Sequence, residues 1–100
     1  MKNLKALYVI ANAGFSSQIV DIARSVGAPG ATIINARGSV ANPQTILGIT
    51  IDSEKEIILS VVEESIAIKV MEQIKQQAGA GTSAHALCFY LPVEMSTLNN

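Results

Sequence analysis

The chain has 100 residues and a formal net charge of −1, and it combines 49% hydrophobic with only 15% charged residues. This length predicts one domain, residues 1–100, and the near-neutral charge gives no electrostatic reason to expect nucleic acid or an anionic membrane surface as a partner. No apolar run approaches the roughly 18 residues that a transmembrane helix needs, so we expect no membrane insertion. The single cysteine, Cys88, fits a reducing, cytoplasmic setting.

The first third of the chain predicts a strand, a helix and a second strand. Leu4–Ala11 is a short apolar run with β-branched and aromatic members, which favours a buried strand over the core of a signal peptide. From Phe15 to Val26 the apolar residues fall on one helical face, and Gly27 is a natural stop. Ala31–Ala36 is the second predicted strand.

The rest of the chain alternates loops with periodic segments. Val40–Gln44 contains Asn, Pro and small residues without an apolar period, so we expect it to be mobile when no partner is bound. The predicted elements are an exposed loop at Arg37–Gln44, extended pieces at Thr45–Asp52 and Glu54–Val62, a helix with an apolar stripe at Ala67, Val70, Met71 and Ile74, a small-residue loop at Ala78–Ala84, a last strand at Ala86–Leu91 and a polar tail at 94–100.

The predicted order of elements is that of the ferredoxin-like βαββαβ sandwich, an α+β fold with an antiparallel sheet. Right-handed crossovers would place both helices on one face of that sheet. Runs such as Leu7–Ile10, Ile57–Leu59 and Leu87–Leu91 are nevertheless apolar on both faces. The uncovered face would expose a large apolar patch, so we expect it to be buried in a homo-oligomer. A different protein covering that face is the alternative.

Three stretches carry a family resemblance. Gly27–Gly38 begins with Gly-x-x-Gly-x-Thr and ends in an Arg-Gly pair, Asp52–Leu59 begins a strand with a lysine, and Ala80–Val93 is a small-residue loop followed by a strand. In order and spacing they resemble the second strand, the start of the third strand, and the B-loop with the last strand of the PII (nitrogen regulatory protein P-II) superfamily. The similarity spans residues 3–95.

This resemblance implies a homotrimeric signal-transduction protein rather than an enzyme, with its open sheet faces turned inward. A small anionic effector, either an adenine nucleotide (ATP, ADP or AMP) or another small anion, would bind in clefts between subunits, each completed by the B-loop of the adjacent subunit. The long loop between the second and third strands, called the T-loop, would regulate a partner protein, for example a membrane transporter. We expect no metal, and no cofactor beyond the nucleotide effector. The predicted ligand-binding residues are Thr32, Arg37, Gly38, Lys55, Gly81, Thr82, Ser83 and His85.

Most of these residues also have a simpler explanation. Arg37 and Gly38 are equally consistent with a solvated arginine and a turn glycine. Lys55 lies among acidic residues and would suit a surface ion pair, which contributes about 0–1 kcal/mol. Thr32 is an ordinary strand residue. The loop Gly79–Ala84 could hold an anion with its backbone N–H groups, or it could be a plain connector.

The sequence departs from the nitrogen regulators at three places. The stretch from Arg37 to Lys55 contains no tyrosine, so uridylylation or adenylylation of the T-loop is not expected. The segment from Ala80 to Ala86 has no lysine to meet a phosphate, and the tail has no arginine. The chain is therefore closer to the divergent PII-like group than to the regulators of glutamine synthetase.

Two alternatives remain open at this point. The missing phosphate-binding cations are consistent with an interaction module that has lost its ligand. His85 and Cys88 suggest a CutA-like metal-binding trimer, although residues three apart on a strand point to opposite faces, and zinc takes three or four protein ligands. A catalytic role has no support, because the chain has one histidine and no evident nucleophile–base pair.

Overall fold

The computed structural model describes residues 3–39, 44–46, 49–51 and 53–98. Within these ranges no helix is long and apolar enough to span a bilayer. The elements are β1 (Leu4–Asn12), α1 (Ser16–Ser25), β2 (Thr32–Gly38), β3 (Gln44–Ile46), β4 (Ile49–Ile51), β5 (Ser53–Glu63), α2 (Glu64–Gln77) and β6 (Leu87–Pro92).

The main sheet has four strands in the order β2-β5-β1-β6, and every neighbouring pair is antiparallel. Helices α1 and α2 pack against each other and both contact β5, which places them on one face of the sheet. This is the α+β, ferredoxin-like arrangement that the sequence predicts, and the prediction is confirmed.

The helices form where the apolar stripes predict them. Ile19, Ile22 and Ala23 are the buried residues of α1, and the chain leaves this helix at Gly27, whose φ of 109° is a backbone conformation that glycine adopts without strain. In α2 the buried residues are Ala67, Val70 and Ile74. Because neighbouring members of each set are mostly three or four residues apart, they lie on one face of their helix, and this face packs against the sheet.

Strand register separates the two faces of the sheet. Val9 of β1 lies opposite Ile58 of β5, and both are 2% exposed beneath the helices. Tyr8, one position away, lies opposite Leu59 and Phe89 on the other face. Its ring stacks on that of Phe89 with 5.3 Å between the centroids. Because side chains alternate along a strand, the second face carries its own apolar surface, which we call the open face.

The open face has no covering element in the part of the chain that the structure describes. Its apolar members, read from the register, are Ala6, Tyr8, Ile10, Ile34, Ile57, Leu59, Val61, Leu87, Phe89 and Leu91. Leu87 and Leu91 are 60% and 51% exposed. The strands are therefore apolar on both faces as predicted, whereas the oligomer that would cover the open face stays a prediction.

The T-loop region differs from the sequence prediction. Thr45–Asp52 was expected as one extended piece, which is wrong: β3 and β4 pair antiparallel, with Ile46 opposite Ile49. Two residues outside the described ranges separate these strands. The expected exposed loop is also shorter than predicted, since β2 continues through Gly38 and β3 begins at Gln44. Residues 40–43, most of the segment predicted to be mobile, lie outside the described residues.

Candidate functional site

Four segments of the chain meet at one end of the sheet. Asn12, at the end of β1, lies opposite Lys55 of β5, and Lys55 also lies opposite Ala36 near the end of β2. The turn after α2 reaches the same end, because the backbone N–H of Asn12 donates to the carbonyl of Ala84 over 2.9 Å. The end of β2, Lys55 of β5 and the small-residue loop beside β1 thus lie at the same end of the sheet within one chain.

The side-chain amide of Asn12 connects these segments. Its oxygen accepts a hydrogen bond from Nζ of Lys55 at 2.6 Å, and its nitrogen donates to the carbonyl of Ser83 at 2.8 Å. One amide therefore fixes both the direction of a cation and the position of a loop. The first strand predicted from the sequence ends at Ala11, and nothing in the sequence assigns a role to Asn12. The feature that could have identified it is an amide side chain at a strand end, which can both donate and accept a hydrogen bond.

The small-residue loop is held by its own hydrogen bonds. The hydroxyl of Thr82 donates to the carbonyl of Gly79 at 2.7 Å and accepts the N–H of His85 at 3.3 Å. Gly81 has a φ of 89°. Within the described ranges, the backbone N–H groups of Gly81 and Ser83 donate to no other residue. The side chain of Thr82 thus serves the turn, and the donors left for a ligand are backbone N–H groups.

His85 does not lie on a strand with Cys88. It precedes β6, is exposed and has a φ of 46°, so the geometric premise of the His-x-x-Cys interpretation is wrong. Across the described ranges, no group of three or more His, Cys, Asp or Glu side chains could hold a metal ion. Cys88 faces the helices, and burial raises the pKa of its thiol to about 12.

Arg37 and Lys55 lie at the same sheet end but on opposite faces. Arg37 is opposite Glu54, whereas Lys55 is opposite Ala36, and successive strand residues alternate between faces. Both nevertheless border one cavity of about 330 Å³ at the edge strand β2. The lining residues of this edge cavity are Ala13, Asn35, Ala36, Arg37, Glu54, Lys55 and Glu56.

The edge cavity carries as many carboxylates as cations. One carboxylate oxygen of Glu56 accepts the N–H of Gly14 at 2.8 Å. Glu54 lies directly across from Arg37 in the strand register. An anion in this cavity would be attracted by Arg37 and Lys55 and repelled by the two glutamates. Charge alone would therefore bind it weakly, and hydrogen bonds would have to contribute to its affinity.

Thr32 is remote from the other predicted site residues. It is exposed and lies opposite Leu59, on the same face as Lys55 but four strand positions away, which is roughly 13 Å at the usual rise. Only an extended ligand could contact both. The structure therefore brings Arg37, Gly38, Lys55 and the loop containing Gly81, Thr82, Ser83 and His85 to one sheet end, and it leaves Thr32 apart.

Comparisons with known proteins address the fold. No family model and no curated protein matches the sequence. Among solved structures, a PII-like signaling protein from Thermus thermophilus has a TM-score of 0.71 at 18% identity, covering 90% of this chain and 85% of that one. GlnK of B. subtilis has a TM-score of 0.70 at 13% identity, covering 93% and 87%.

A third similar structure is CPII, a nitrogen regulatory PII-like protein from Thiomonas intermedia K12 bound to ADP, AMP and bicarbonate. Its TM-score is 0.65 at 17% identity, covering 93% of this chain and 94% of that one. B. subtilis GlnK is also known as an ATP complex. The chain is similar to all of them over nearly its whole length and has their fold.

Proposed function

We propose that this chain is a divergent PII-like signalling protein, a regulator rather than an enzyme, that binds a small anionic effector and acts on a partner protein. The observation that carries this proposal is the meeting of Arg37, Lys55 and the 79–85 loop at one sheet end, next to the T-loop. The fold shared with PII-like proteins supports it, as do the three sequence stretches that resemble that superfamily.

The proposed assembly is a homotrimer with the open faces turned inward. Its support is the row of apolar side chains on that face, including the stacked pair Tyr8 and Phe89. Burying such a patch stabilises by roughly 25 cal/mol for each Å² removed from water. The same helices that cover one face cannot reach the other, so a second copy is the simplest cover.

The proposed effector is an adenine nucleotide. Its phosphates would meet Nζ of Lys55, which Asn12 already orients, and the N–H groups of Gly81 and Ser83. Arg37 would approach from the helix side of the edge cavity. An extended nucleotide could also span the distance to Thr32, which a compact anion could not. Bicarbonate or another small anion is the alternative effector.

The proposed output is through the T-loop between β2 and β5, which includes the β3–β4 hairpin. Ligand contacts at Arg37 and Lys55 would alter the positions of the end of β2 and the start of β5, the two strands that this loop connects. The target would be a partner protein such as a membrane transporter, and the setting the cytoplasm.

Calorimetry on two variants tests the effector site. A thermal-shift screen with ATP, ADP, AMP and bicarbonate selects the ligand, since a ligand at 100 times its Kd stabilises by about 2.7 kcal/mol. We expect Arg37→Ala and Lys55→Ala each to weaken that ligand by about 10- to 150-fold, the equivalent of one hydrogen bond to a charged group. Arg24→Ala and Lys69→Ala, which remove exposed cations on α1 and α2 outside the lining of the edge cavity, are the matched controls. Unchanged affinity in both site variants would place the ligand elsewhere.

The ligand-free interaction module is the second candidate. It is favoured by the balance of two carboxylates against two cations in the edge cavity. If none of the four compounds changes the melting temperature, while the T-loop still retains a target, this function replaces the first.

A further inference from the structure

The charges that line the edge cavity are divided between the two faces of the sheet. Side chains alternate along a strand, so Glu54 and Glu56 are on the same face as Ile58, which is buried beneath the helices. Arg37 lies opposite Glu54 and shares this helix side. Lys55 belongs to the other face, where its Nζ is bonded to an amide of β1. Among the described residues that line the cavity, the helix side therefore carries two carboxylates and one guanidinium.

These three charged side chains form a compact group with Asn35. Arg37 is directly opposite Glu54 in the strand register, and Asn35 is directly opposite Glu56. The Cβ atoms of directly opposite residues are about 5 Å apart, and residues two positions apart on one strand are separated by roughly 7 Å. A small ligand can therefore contact the guanidinium and a carboxylate at the same time.

The two glutamates are held in place by the turn that follows β1. Oε1 of Glu56, a partly buried residue, accepts the N–H of Gly14 at 2.8 Å. The backbone carbonyl of Glu54 accepts the N–H of Ala13 at 3.0 Å. An ionised carboxylate has about four acceptor positions, so the bond to Gly14 occupies only one of those of Glu56. Both carboxylates can therefore accept hydrogen bonds from a ligand without a change in the fold.

The signs of these charges favour a ligand that carries both a positive and a negative group. On the helix side, an anion would be attracted by Arg37 but repelled by Glu54 and Glu56. A simple amine would be attracted by the glutamates but repelled by Arg37. A zwitterion avoids both conflicts, and each of its charged groups would form charge-assisted hydrogen bonds, which are stronger than those between neutral groups.

We propose that the helix side of the edge cavity binds a free α-amino acid as a second effector. Its carboxylate binds the guanidinium of Arg37, and its ammonium donates to Glu54 and Glu56. An α-amino acid carries both charges on one carbon, which suits the direct opposition of Arg37 and Glu54. The cavity, of about 330 Å³, also has room for a side chain beside Asn35. The inference rests on the proposed signalling role but not on the nucleotide, with which the amino acid would compete for Arg37.

Calorimetry with three forms of one ligand tests whether both charges are needed. A thermal-shift screen of the common L-amino acids selects the parent ligand. We expect its α-amide, which lacks the carboxylate, and its N-acetyl derivative, which lacks the ammonium, each to bind about 10- to 150-fold more weakly. An N-acetyl derivative that binds as tightly as the parent would indicate a plain anion site, and an equally tight amide would indicate a plain amine site. Either result overturns the inference.

Glu54→Gln separates the amino acid from the nucleotide. This variant removes a negative charge and keeps the size of the side chain, so we expect it to weaken the amino acid by about 10-fold and to leave ATP binding unchanged or tighter. Arg37→Gln is expected to weaken both ligands. Glu94→Gln, which removes a charge from the exposed tail outside the cavity lining, is the matched control and should change neither affinity.

The amino acid site and the nucleotide site fail in different ways. If a nucleotide binds and no amino acid does, the amino acid site is overturned and the nucleotide effector stands. If an amino acid binds wild type and Glu54→Gln equally well, its ammonium lies outside this cavity and the proposed placement is overturned. If an amino acid shows the expected losses and no nucleotide binds, the inference stands and the amino acid replaces the nucleotide as the effector.

Discussion

Asn12 holds two groups that are far apart in sequence, Lys55 and Ser83, through the two ends of one amide. An aspartate at this position would keep the acceptor for Lys55 but lose the donor to the Ser83 carbonyl, which it would instead repel. The amide therefore separates two roles, that of orienting the cation and that of fixing the loop, which can be tested independently.

Asn12→Ala is expected to lower the free energy of unfolding by about 1–2 kcal/mol. Two hydrogen bonds are lost and one involves a charged group, but one is exposed and the other only part-buried, which reduces their contribution. Asn12→Asp should retain part of this stability through Lys55. Urea unfolding monitored by circular dichroism gives both values. Asn35→Ala, an exposed amide on β2, is the control and should change little; an equal loss there would contradict a specific role for Asn12.

Cys88 makes the stability of the fold depend on alkaline pH. Burial raises the pKa of its thiol from 9.0 to about 12 in the folded state, so folding favours the neutral thiol. The associated stability is complete below the unfolded pKa and is lost as pH rises from about 9 towards 12. We expect urea midpoints of the unmodified chain to fall over this range and those of Cys88→Ala to fall less. Parallel curves for the two proteins would rule out this contribution.

Tyr90 lies on the same strand as Cys88, and its pKa is also raised. Desolvation, and then the carboxylate of Glu64, which accepts the hydroxyl at 3.2 Å, raise the pKa of the phenol. Its contribution to the alkaline fall is present in both proteins of the Cys88 experiment and cancels in their difference.

At the scale of elements, the junction between α2 and the 79–85 loop depends on the absence of a side chain. A Cβ at Gly79 would lie 2.9 Å from the carbonyl oxygen of Lys75, which is backbone and cannot move aside cheaply. At Gly30 the same added atom would have no neighbour within 4 Å. The loop that approaches Asn12 therefore begins at a position restricted to glycine by space.

Gly79→Ala is expected to destabilise the fold by about 1–3 kcal/mol, the usual cost of overpacking. It should also displace the loop and weaken any ligand that the N–H groups of Gly81 and Ser83 hold. Gly30→Ala is the matched control and should leave the melting temperature nearly unchanged. Equal melting temperatures for the two variants would show that the junction tolerates a shift.

Most elements could be predicted from periodicity, because the apolar spacings of β1, α1, β5 and α2 reflect burial on one or both sides. The β3–β4 hairpin could not, since Thr45–Asp52 is rich in β-branched residues whether the chain runs straight or reverses. The register of the strands could not be predicted from the sequence either. Without it, nothing indicated that Arg37 and Lys55 point to opposite faces.

The candidate site shows the same limit. The resemblance to PII proteins identified Arg37, Lys55 and the 79–85 loop, which lie at one end of the sheet, but it also suggested Thr32, which lies at the far end of β2. Asn12 was missed because its partners lie 43 and 71 positions away. Such contacts follow from topology rather than from any local pattern.

At the scale of the whole molecule, we expect a change on the open face to have the largest effect on the oligomeric state. Leu59 lies on this face in the interior strand β5, opposite Tyr8. A carboxylate there would remain solvated in a monomer but would be buried without a partner in the proposed trimer.

Leu59→Glu is therefore expected to give a folded or partly folded monomer by light scattering at micromolar concentration. Gln76→Glu adds the same charge on the exposed surface of α2 and should remain a trimer. A Leu59→Glu protein that keeps the trimer mass would show that the open face lies outside the interface.

The strand order also bears on biosynthesis. β1 and β2 are made first, yet neither pairs with the other: β2 pairs with β5, and β1 with β5 and β6. While residues 1–52 emerge from the ribosome, two apolar strands have no partner within the main sheet, and the sheet can close only after β5 arrives. Long-range pairing of this kind slows folding and leaves unpaired edges exposed to aggregation. Nascent chains paused before β5 should therefore depend on chaperones far more than chains paused after β6.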